Sequence, residues 1–400
     1  MSNTETNKTA TTAKTEAPKS KQTLQTYIAA CVAIFIFGME YIVLGSILPI
    51  FKETMSAGQI TLLATLLPIG VLVGSMLFGP FQDNHGYRRV LIAFTALGML
   101  GLAILANAKA YSIIAASVVL VGISSGALNG SASAIMSDIS TERNRATNLV
   151  VLGLVYCIGA LCTPMAIKAM IKSIGYQWPI LIVAILMMLT IVLYLLVKFP
   201  KHEASRKVTG KDIAALLKEP FLWIFSMVLF FQSALEGLSS NWTTQYLTDP
   251  GYGLSYEKAL VGLSAVMLGL AVARVILLFI TSKVELKYII YASMCIVLGG
   301  AITLLTAKGS QTAAIAGSFL IGAGLAITFP GVLGVIGDHY PRISGTAFSF
   351  ALVVALAGNT LLNLLTGSLG AQSYPYVVIG AVAMLVIFFT VGTIFVKSKR

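Results

Sequence analysis

Three ionisable side chains interrupt long apolar stretches of the 400-residue sequence: Glu40, Glu236 and Arg274. A charged group is costly inside a bilayer, so an ionisable residue there is a functional candidate by default. A carboxyl removed from water can alternate between a neutral and a charged form. Glu40, in FIFGMEYIVLG, is therefore expected to load and release a proton, and the same role is considered for Glu236. The alternative for Glu40 is a protonated acid that is hydrogen-bonded to a neighbouring helix.

A polar stripe surrounds Glu236 in the segment that contains it. Gln232, Ser239 and Thr243 share its face at helical spacing. Such a stripe suits recognition of hydroxyl groups, although it equally suits a structural hydrogen-bond seam between helices. Trp242 would stack on a ligand ring if the helix unwinds near Gly237, and would otherwise be an interfacial anchor.

Further amides and one arginine complete the set of candidate binding groups. Asn129, Asn359 and Asn363 carry amides that can fork two bonds to vicinal hydroxyls, or can join helices. Arg274 could bind an anionic ligand or pair with Glu236. A gating ion pair, or a hydrogen bond to backbone carbonyls, is the favoured reading for Arg274.

These residues must be positioned by membrane-spanning helices. The chain is 57% hydrophobic and only 10% charged, with a mean hydropathy of +0.88, which excludes an ordinary soluble domain. Apolar runs of spanning length fall at 25–50, 58–81, 89–107, 110–137, 146–171, 176–197, 220–247, 258–281, 287–307, 310–336, 343–369 and 374–396. An all-α integral membrane protein with twelve transmembrane helices is predicted.

The polar segments divide this chain. Residues 1–24 are expected to be a disordered cytoplasmic tail without the apolar stretch of a signal peptide. Residues 198–219 form a basic cytoplasmic loop between two six-helix halves, 25–197 and 220–396, and 397–400 form a cytoplasmic end. Lys and Arg concentrate in the segments that this topology places inside. The external segments hold Lys52, Lys109, Lys168, Lys172, Lys258 and Lys308. The positive charge thus reports topology, and no nucleic-acid partner is expected.

The two halves contain a repeated sequence pattern. GISSGALNGSASAIMSD (122–138) and GAGLAITFPGVLGVIGD (322–338) align at a constant offset, which places Gly122 over Gly322 and Asp138 over Asp338. Small residues spaced by four let helices approach closely in lipid. Together with the central loop, this pattern predicts two repeats around a central cavity.

The charged stretch GPFQDNHGYRRV (79–90) joins the second and third runs. Gly79, Asp83, Gly86, Arg88 and Arg89 fit the pattern G-x-x-x-D-x-x-G-x-[RK]-[RK]. In this position the stretch resembles the signature loop of the major facilitator superfamily. The resemblance implies that fold and a gating role for these residues. The alternative is a solvated basic turn that only sets topology.

The same resemblance implies partners for the loop. Asp83 would meet the N-terminus of helix 11 around Ser344 and Gly345, and Arg88 or Arg89 would reach Asp138. Asp338 is the repeat-related acid of the second half and is expected to have a similar gating role. These contacts would close the cytoplasmic side and break when the cavity opens inward.

Several segments resemble the fucose–glucose–galactose permease branch of the superfamily: 148–164, 236–247 and 322–348. The resemblance implies proton-coupled symport of a sugar or similar small solute. A monomer in the cell inner membrane is expected, with both termini cytoplasmic as the distribution of Lys and Arg indicates. MEYIVLGSILPIF (39–51) resembles helix 1 of drug-efflux members, so a proton-driven antiporter of drugs or sugars stays open. A non-transporting sensor on the same scaffold is a further alternative, although it would be expected to carry a long signalling tail. Neither a catalytic triad, a phosphate loop nor a metal-ligand pattern occurs in the sequence, so neither an enzyme nor a cofactor is expected.

Overall fold

A computed structural model describes residues 20–141, 145–199, 218–281, 283–340 and 344–398. Within these ranges, twelve helices are long and apolar enough to cross a membrane, and no strand is found. The predicted all-α membrane fold with twelve spans is confirmed. The spans follow the apolar runs because about 20 apolar residues are needed to cross the hydrocarbon layer as a helix.

Six helices precede the undescribed segment 200–217. They are α1 (Ser20–Ile47), α2 (Ala57–Gly79), α3 (Asn84–Asn107), α4 (Tyr111–Ile139), α5 (Arg145–Ile174) and α6 (Gln177–Leu196). Six follow it: α7 (Pro220–Leu247), α8 (Tyr256–Ile280), α9 (Leu286–Thr306), α10 (Gln311–His339), α11 (Ser344–Leu369) and α12 (Tyr374–Ser398). A short 3₁₀ turn, Leu48–Glu53, extends α1.

The predicted tail and loops lie partly outside this description. Residues 1–19 of the expected tail 1–24 are outside the described residues, and α1 begins at Ser20, within that predicted tail. Of the expected central loop 198–219, residues 200–217 are outside as well. The last helix continues to Ser398, into the segment expected to be a cytoplasmic end.

Most of the stretch 79–90, which the sequence predicts to be a charged loop between two spans, is helical. Helical backbone runs from Ala57 to Asn107 and is interrupted at Gly86, where φ is 76° and ψ is 165°. Residues other than glycine rarely adopt this backbone conformation, because their Cβ atom would clash with the backbone. A glycine is therefore needed at the break. The chain therefore changes direction at Gly86, near the start of α3, without a long loop.

The repeated sequence pattern lies in helix pairs that pack in the same way in the two halves. In the first half, Gly122 of α4 lies against the backbone of Leu67 and Gly70 in α2. In the second half, Gly322 of α10 lies against the backbone of Val266 in α8. A side chain at either glycine would collide with that backbone. The paired glycines thus set the same close approach of helices in both halves.

The fourth helix of the second half differs from its counterpart. α10 consists of two helical parts, Gln311–Gly324 and Thr328–His339, with a turn over residues 325–327. Pro330 lies one turn beyond this break. Proline lacks an N–H and crowds the carbonyl four residues earlier, which explains why the helix does not continue through Ala326.

The halves meet through three helix pairs, α1 with α7, α2 with α11, and α5 with α8. Alternation of the spans brings Ser20 and Ser398 to one end of the bundle. We call this end the termini side and the other end the loop side. Loop-side contacts confirm the alternation, because Lys52 bonds the Gln245 carbonyl at 3.3 Å and Gln372 bonds Asp249 at 2.8 Å.

Candidate functional site

Glu40 lies in the interior of the first half. Its carboxyl is fully buried, and the Ser124 hydroxyl from α4 lies 3.0 Å from Oε1 and 3.1 Å from Oε2. Gly98 of α3 and Met187 of α6 border the same space, and a side chain at Gly98 would collide with the Glu40 carboxyl. Glu40 is thus a membrane-buried acid with a hydroxyl donor.

Glu236 lies where the halves meet. Its carboxyl on α7 interacts electrostatically with Tyr41 of α1, Tyr156 of α5 and Arg274 of α8. Two of these partners belong to the opposite half. Glu236 is therefore placed to sense a change in the distance between the halves.

Aromatic rings and an amide surround this acid. Phe37 stacks on Tyr156 with centroids 5.0 Å apart and packs against Tyr41 at 5.6 Å. The Asn359 amide of α11 donates to the Tyr41 hydroxyl at 3.5 Å. Its other end rests on Gly237, which has no side chain to exclude it. We call Tyr41, Tyr156, Glu236, Arg274 and Asn359 the central cluster.

Arg274 joins α8 to α5. Its Nη1 donates to the Gly153 carbonyl at 2.5 Å and to the Cys157 sulfur at 3.5 Å. A side chain at Gly153 would collide with the guanidinium. This is the carbonyl bond favoured from the sequence, and it links the two halves beside Glu236.

The polar stripe of α7 is bonded within the second half. The Gln232 amide donates to the Leu325 carbonyl at 2.9 Å, in the break of α10. Thr243 donates to the Ser239 carbonyl at 2.6 Å, and the Tyr374 hydroxyl of α12 lies 3.4 Å from the Ser239 hydroxyl. The structure does not bring these three residues to the phenols around Glu236. Their substrate role stays a prediction.

A second seam joins α7 to α11. The Trp242 indole donates to Asn363 Oδ1 at 2.9 Å, and Asn241 donates to the same oxygen at 3.1 Å. Asn363 in turn donates to Asn359 Oδ1 at 2.7 Å. Because α7 is continuous here, Trp242 is buried between helices instead of facing a cavity or an interface. Asn241 was not among the predicted site residues. Its position along the helix did not distinguish it from the other polar residues of α7.

The termini-side charges have partners that the sequence pattern did not name. Tyr87 donates its hydroxyl to Asp138, and Arg88 donates Nε–H to the Tyr194 carbonyl of α6 at 3.0 Å. Arg89 is exposed. Tyr87 lies inside the signature pattern at a position that the pattern leaves open, so the pattern gave no signal for it.

Other predicted residues lie apart from the central cluster. Asn129 of α4 and Asp338 near the end of α10 are exposed, and Gly79 ends α2. The side chains of Asp83 and Ser344 are outside those described, so the predicted contact of Asp83 with the N-terminus of α11 around Ser344 and Gly345 stays a prediction. Within the described ranges, no group of His, Cys, Asp and Glu could hold a metal ion.

The halves are closed against each other on the loop side. Thr244 of α7 donates to the Gly45 carbonyl of α1, and the Tyr256 hydroxyl donates to the Ser46 carbonyl at 2.7 Å. Exposed Lys172 of α5 and half-buried Glu257 of α8 form an ion pair at 3.3 Å. These contacts would have to separate for the central cluster to open toward the loop side.

Comparison with known proteins identifies related sequences. The profile of the Major Facilitator Superfamily matches residues 30–358. An uncharacterized transporter of Schizosaccharomyces pombe is 27% identical over 258 residues, 53% of this chain and 52% of that protein. An MFS-type transporter of Metarhizium majus is 22% identical over 47% of this chain and 32% of that protein. A cercosporin MFS transporter of Cercospora nicotianae is 28% identical over 38% of this chain and 29% of that protein. The aligned part thus spans about half or less of each curated relative.

Proposed function

Because the chain belongs to the major facilitator superfamily, we propose that it is a proton-coupled symporter of a small solute, a sugar or polyol, and not an enzyme. The position of Glu236 carries this proposal. A carboxyl placed among groups of both halves can bind a solute in the centre and respond to the movement of the halves.

The proton is assigned to Glu40, with Glu236 as a second acceptor. Glu40 is fully buried beside a hydroxyl donor, a setting in which a bound proton removes a costly charge. Tyr41 follows it directly in the chain and touches Asn359 of the opposite half. Protonation of Glu40 can therefore act on the central cluster through a shift of α1.

The solute is assigned to the central cluster. Two phenols, a carboxylate and an amide offer donors and acceptors for hydroxyl groups, and Phe37 adds an apolar wall. The fucose–glucose–galactose permease branch is proposed on the resemblance of segments 148–164, 236–247 and 322–348. Asn129, Gln232, Ser239, Trp242, Thr243 and Asn363 are retained as residues that position helices or bind solute only after rearrangement.

An efflux antiporter is the second candidate. The adjacent rings of Phe37, Tyr41 and Tyr156 suit a flat aromatic solute as well as a sugar ring. One relative is named for cercosporin. In this case Glu40 would exchange a proton against the outgoing solute.

The remaining assignments follow the sequence. The protein is proposed to act as a monomer in the cell inner membrane with its termini side in the cytoplasm, and residues 25–197 and 220–396 as its moving halves. Gly79, Asp83, Gly86, Arg88, Arg89, Asp138 and Asp338 are proposed to close that side, and Arg274 to hold α5 against α8.

Uptake by proteoliposomes tests the proposed function. The purified chain is reconstituted, and labelled glucose, galactose, fucose and mannitol are offered with and without an inward proton gradient. We expect accumulation of at least one solute only with the gradient. No accumulation of any of them, together with gradient-driven extrusion of an aromatic dye such as ethidium, would establish the antiporter instead.

A further inference from the structure

A cavity of about 540 Å³ opens on the termini side, away from the central cluster. It is lined by Gln22 near the start of α1, by residues 85–88 around the helix break near the start of α3, and by residues 197–199 after α6. Three separate elements of the first half thus form its walls. The proposed transport cycle gives Gly86 and Arg88 a gating role but assigns no ligand to this cavity.

The cavity is basic. Arg88 and Lys198 line it together with His85. The bond from Arg88 Nε to the Tyr194 carbonyl fixes the guanidinium at the wall while using a single N–H donor. The neighbouring acid, Asp138, accepts the Tyr87 hydroxyl and is not part of the lining.

Apolar side chains continue outward from the cavity along two helices. Leu24 and Ile28 of α1 are 59% and 47% exposed, and Leu195 and Leu196 of α6 are 52% and 75% exposed. In a membrane, such faces contact acyl chains. The cavity therefore lies at the level of the headgroups, where α6 leaves the apolar layer.

We propose that this cavity binds the phosphate headgroup of an anionic phospholipid. Arg88 and Lys198 supply positive charge, with the Arg88 fork suited to two phosphate oxygens. The acyl chains lie on the exposed leucines of α1 and α6. This continuity with an apolar face identifies a lipid, instead of free phosphate, as the occupant. Lys and Arg next to a membrane span attract the anionic leaflet in the same way.

Native mass spectrometry of the full chain tests the site. The protein in detergent is titrated with phosphatidylglycerol, phosphatidylcholine or inorganic phosphate, and bound molecules are counted. We expect phosphatidylglycerol to bind at least tenfold more tightly than phosphatidylcholine. Arg88→Gln and Lys198→Gln should each weaken its binding about fivefold, since a charge near the surface contributes about that factor.

Lys283→Gln is the matched control, because Lys283 is an exposed charge in the turn between α8 and α9 and lies outside the cavity. Its phosphatidylglycerol affinity should equal that of the parent. Arg88→Lys separates loss of charge from misfolding. It keeps the charge and should therefore retain most of the phosphatidylglycerol binding. Equal affinity of parent and both Gln variants would overturn the proposal. Inorganic phosphate binding as tightly as the lipid would overturn the lipid as occupant.

Discussion

Glu40 and Glu236 are acids of the same type in very different surroundings. Glu40 is enclosed by α3, α4 and α6 and held by Ser124. Glu236 interacts with Tyr41 and Tyr156 of the opposite half and with Arg274 of its own half. An enclosed acid suits an ion as small as a proton. An acid at the joint can contact groups of both halves. The two roles in our proposal follow from this difference.

Replacing Glu40 tests the proton site. Glu40→Gln keeps the size and the hydrogen-bonding capacity but cannot bind and release a proton. We expect loss of gradient-driven accumulation in proteoliposomes, while exchange of labelled against unlabelled solute at equal pH continues. Glu53→Gln, an exposed acid beyond the same helix, should behave as the parent. Concentrative uptake by Glu40→Gln would refute the assignment.

Replacing Glu236 tests the solute site. Glu236→Ala removes the carboxyl that is proposed to accept solute hydroxyl groups, and a solute hydroxyl left unpaired in a buried site costs ~1–3 kcal/mol. Solute affinity, measured by equilibrium binding, should fall about tenfold or more. Glu219→Gln, an exposed acid before α7, serves as the control. Unchanged affinity with a lower yield of folded protein would assign Glu236 a structural role.

The sequence predicted which individual residues are candidates for function better than it predicted which residues they contact. Glu40, Glu236 and Arg274 stand out because charge is rare inside spans. Helical spacing, however, left it open whether Gln232 and Ser239 face a cavity or an adjacent helix. That choice depends on the rotation of α7 against α10 and α12, which packing decides.

Among the elements, the interrupted α10 is the feature least visible in the sequence. Its break frees backbone groups at residues 325–327, and Gln232 from α7 supplies a donor to one of them. Pro330 gave a signal, but proline within spanning helices is also tolerated without a break, as Pro164 in α5 shows. The spans themselves were predicted to within a few residues, since their length is fixed by the bilayer.

Loss of the Gln232 donor should destabilise this element. Gln232→Met leaves the Leu325 carbonyl buried and unpaired, which costs ~1–3 kcal/mol. We expect a lower thermal midpoint in detergent and an unchanged solute affinity. Gln311→Met, at the start of α10, is the control and should leave the midpoint unchanged. A normal midpoint with weakened solute binding would show that Gln232 contacts the solute directly.

For the whole molecule, the proposed cycle alternates closure between the two sides. Asp83 is proposed to hold the termini side closed against α11 through a helix-terminus contact of about 0.3–2 kcal/mol. At ~1.4 kcal/mol, Asp83→Asn shifts the balance of states about tenfold toward opening on that side. The sequence repeat predicts the similar helix arrangement of the two halves. The populations of the two states depend on small differences in free energy between contacts on the two sides, which the sequence pattern does not encode.

Thiol labelling measures this shift. In a background with Cys31, Cys157, Cys162 and Cys295 replaced, Met76→Cys on α2 should react faster with an impermeant reagent when Asp83→Asn is present. Glu285→Gln, a charge loss in the turn between α8 and α9, should not change the rate. Equal labelling rates and normal transport in the Asp83 variant would reduce the loop to a topological turn.

Separation of the halves on the loop side is the central claim, and a reversible cross-link tests it most directly. Lys172 of α5 and Glu257 of α8 form an ion pair across the halves, so Lys172→Cys with Glu257→Cys in the cysteine-free background can be joined by a short, reducible, thiol-specific cross-linker. We predict that cross-linking stops solute uptake and that a reductant restores it, while either single variant is insensitive to the cross-linker. Undiminished uptake by fully cross-linked protein would contradict the account.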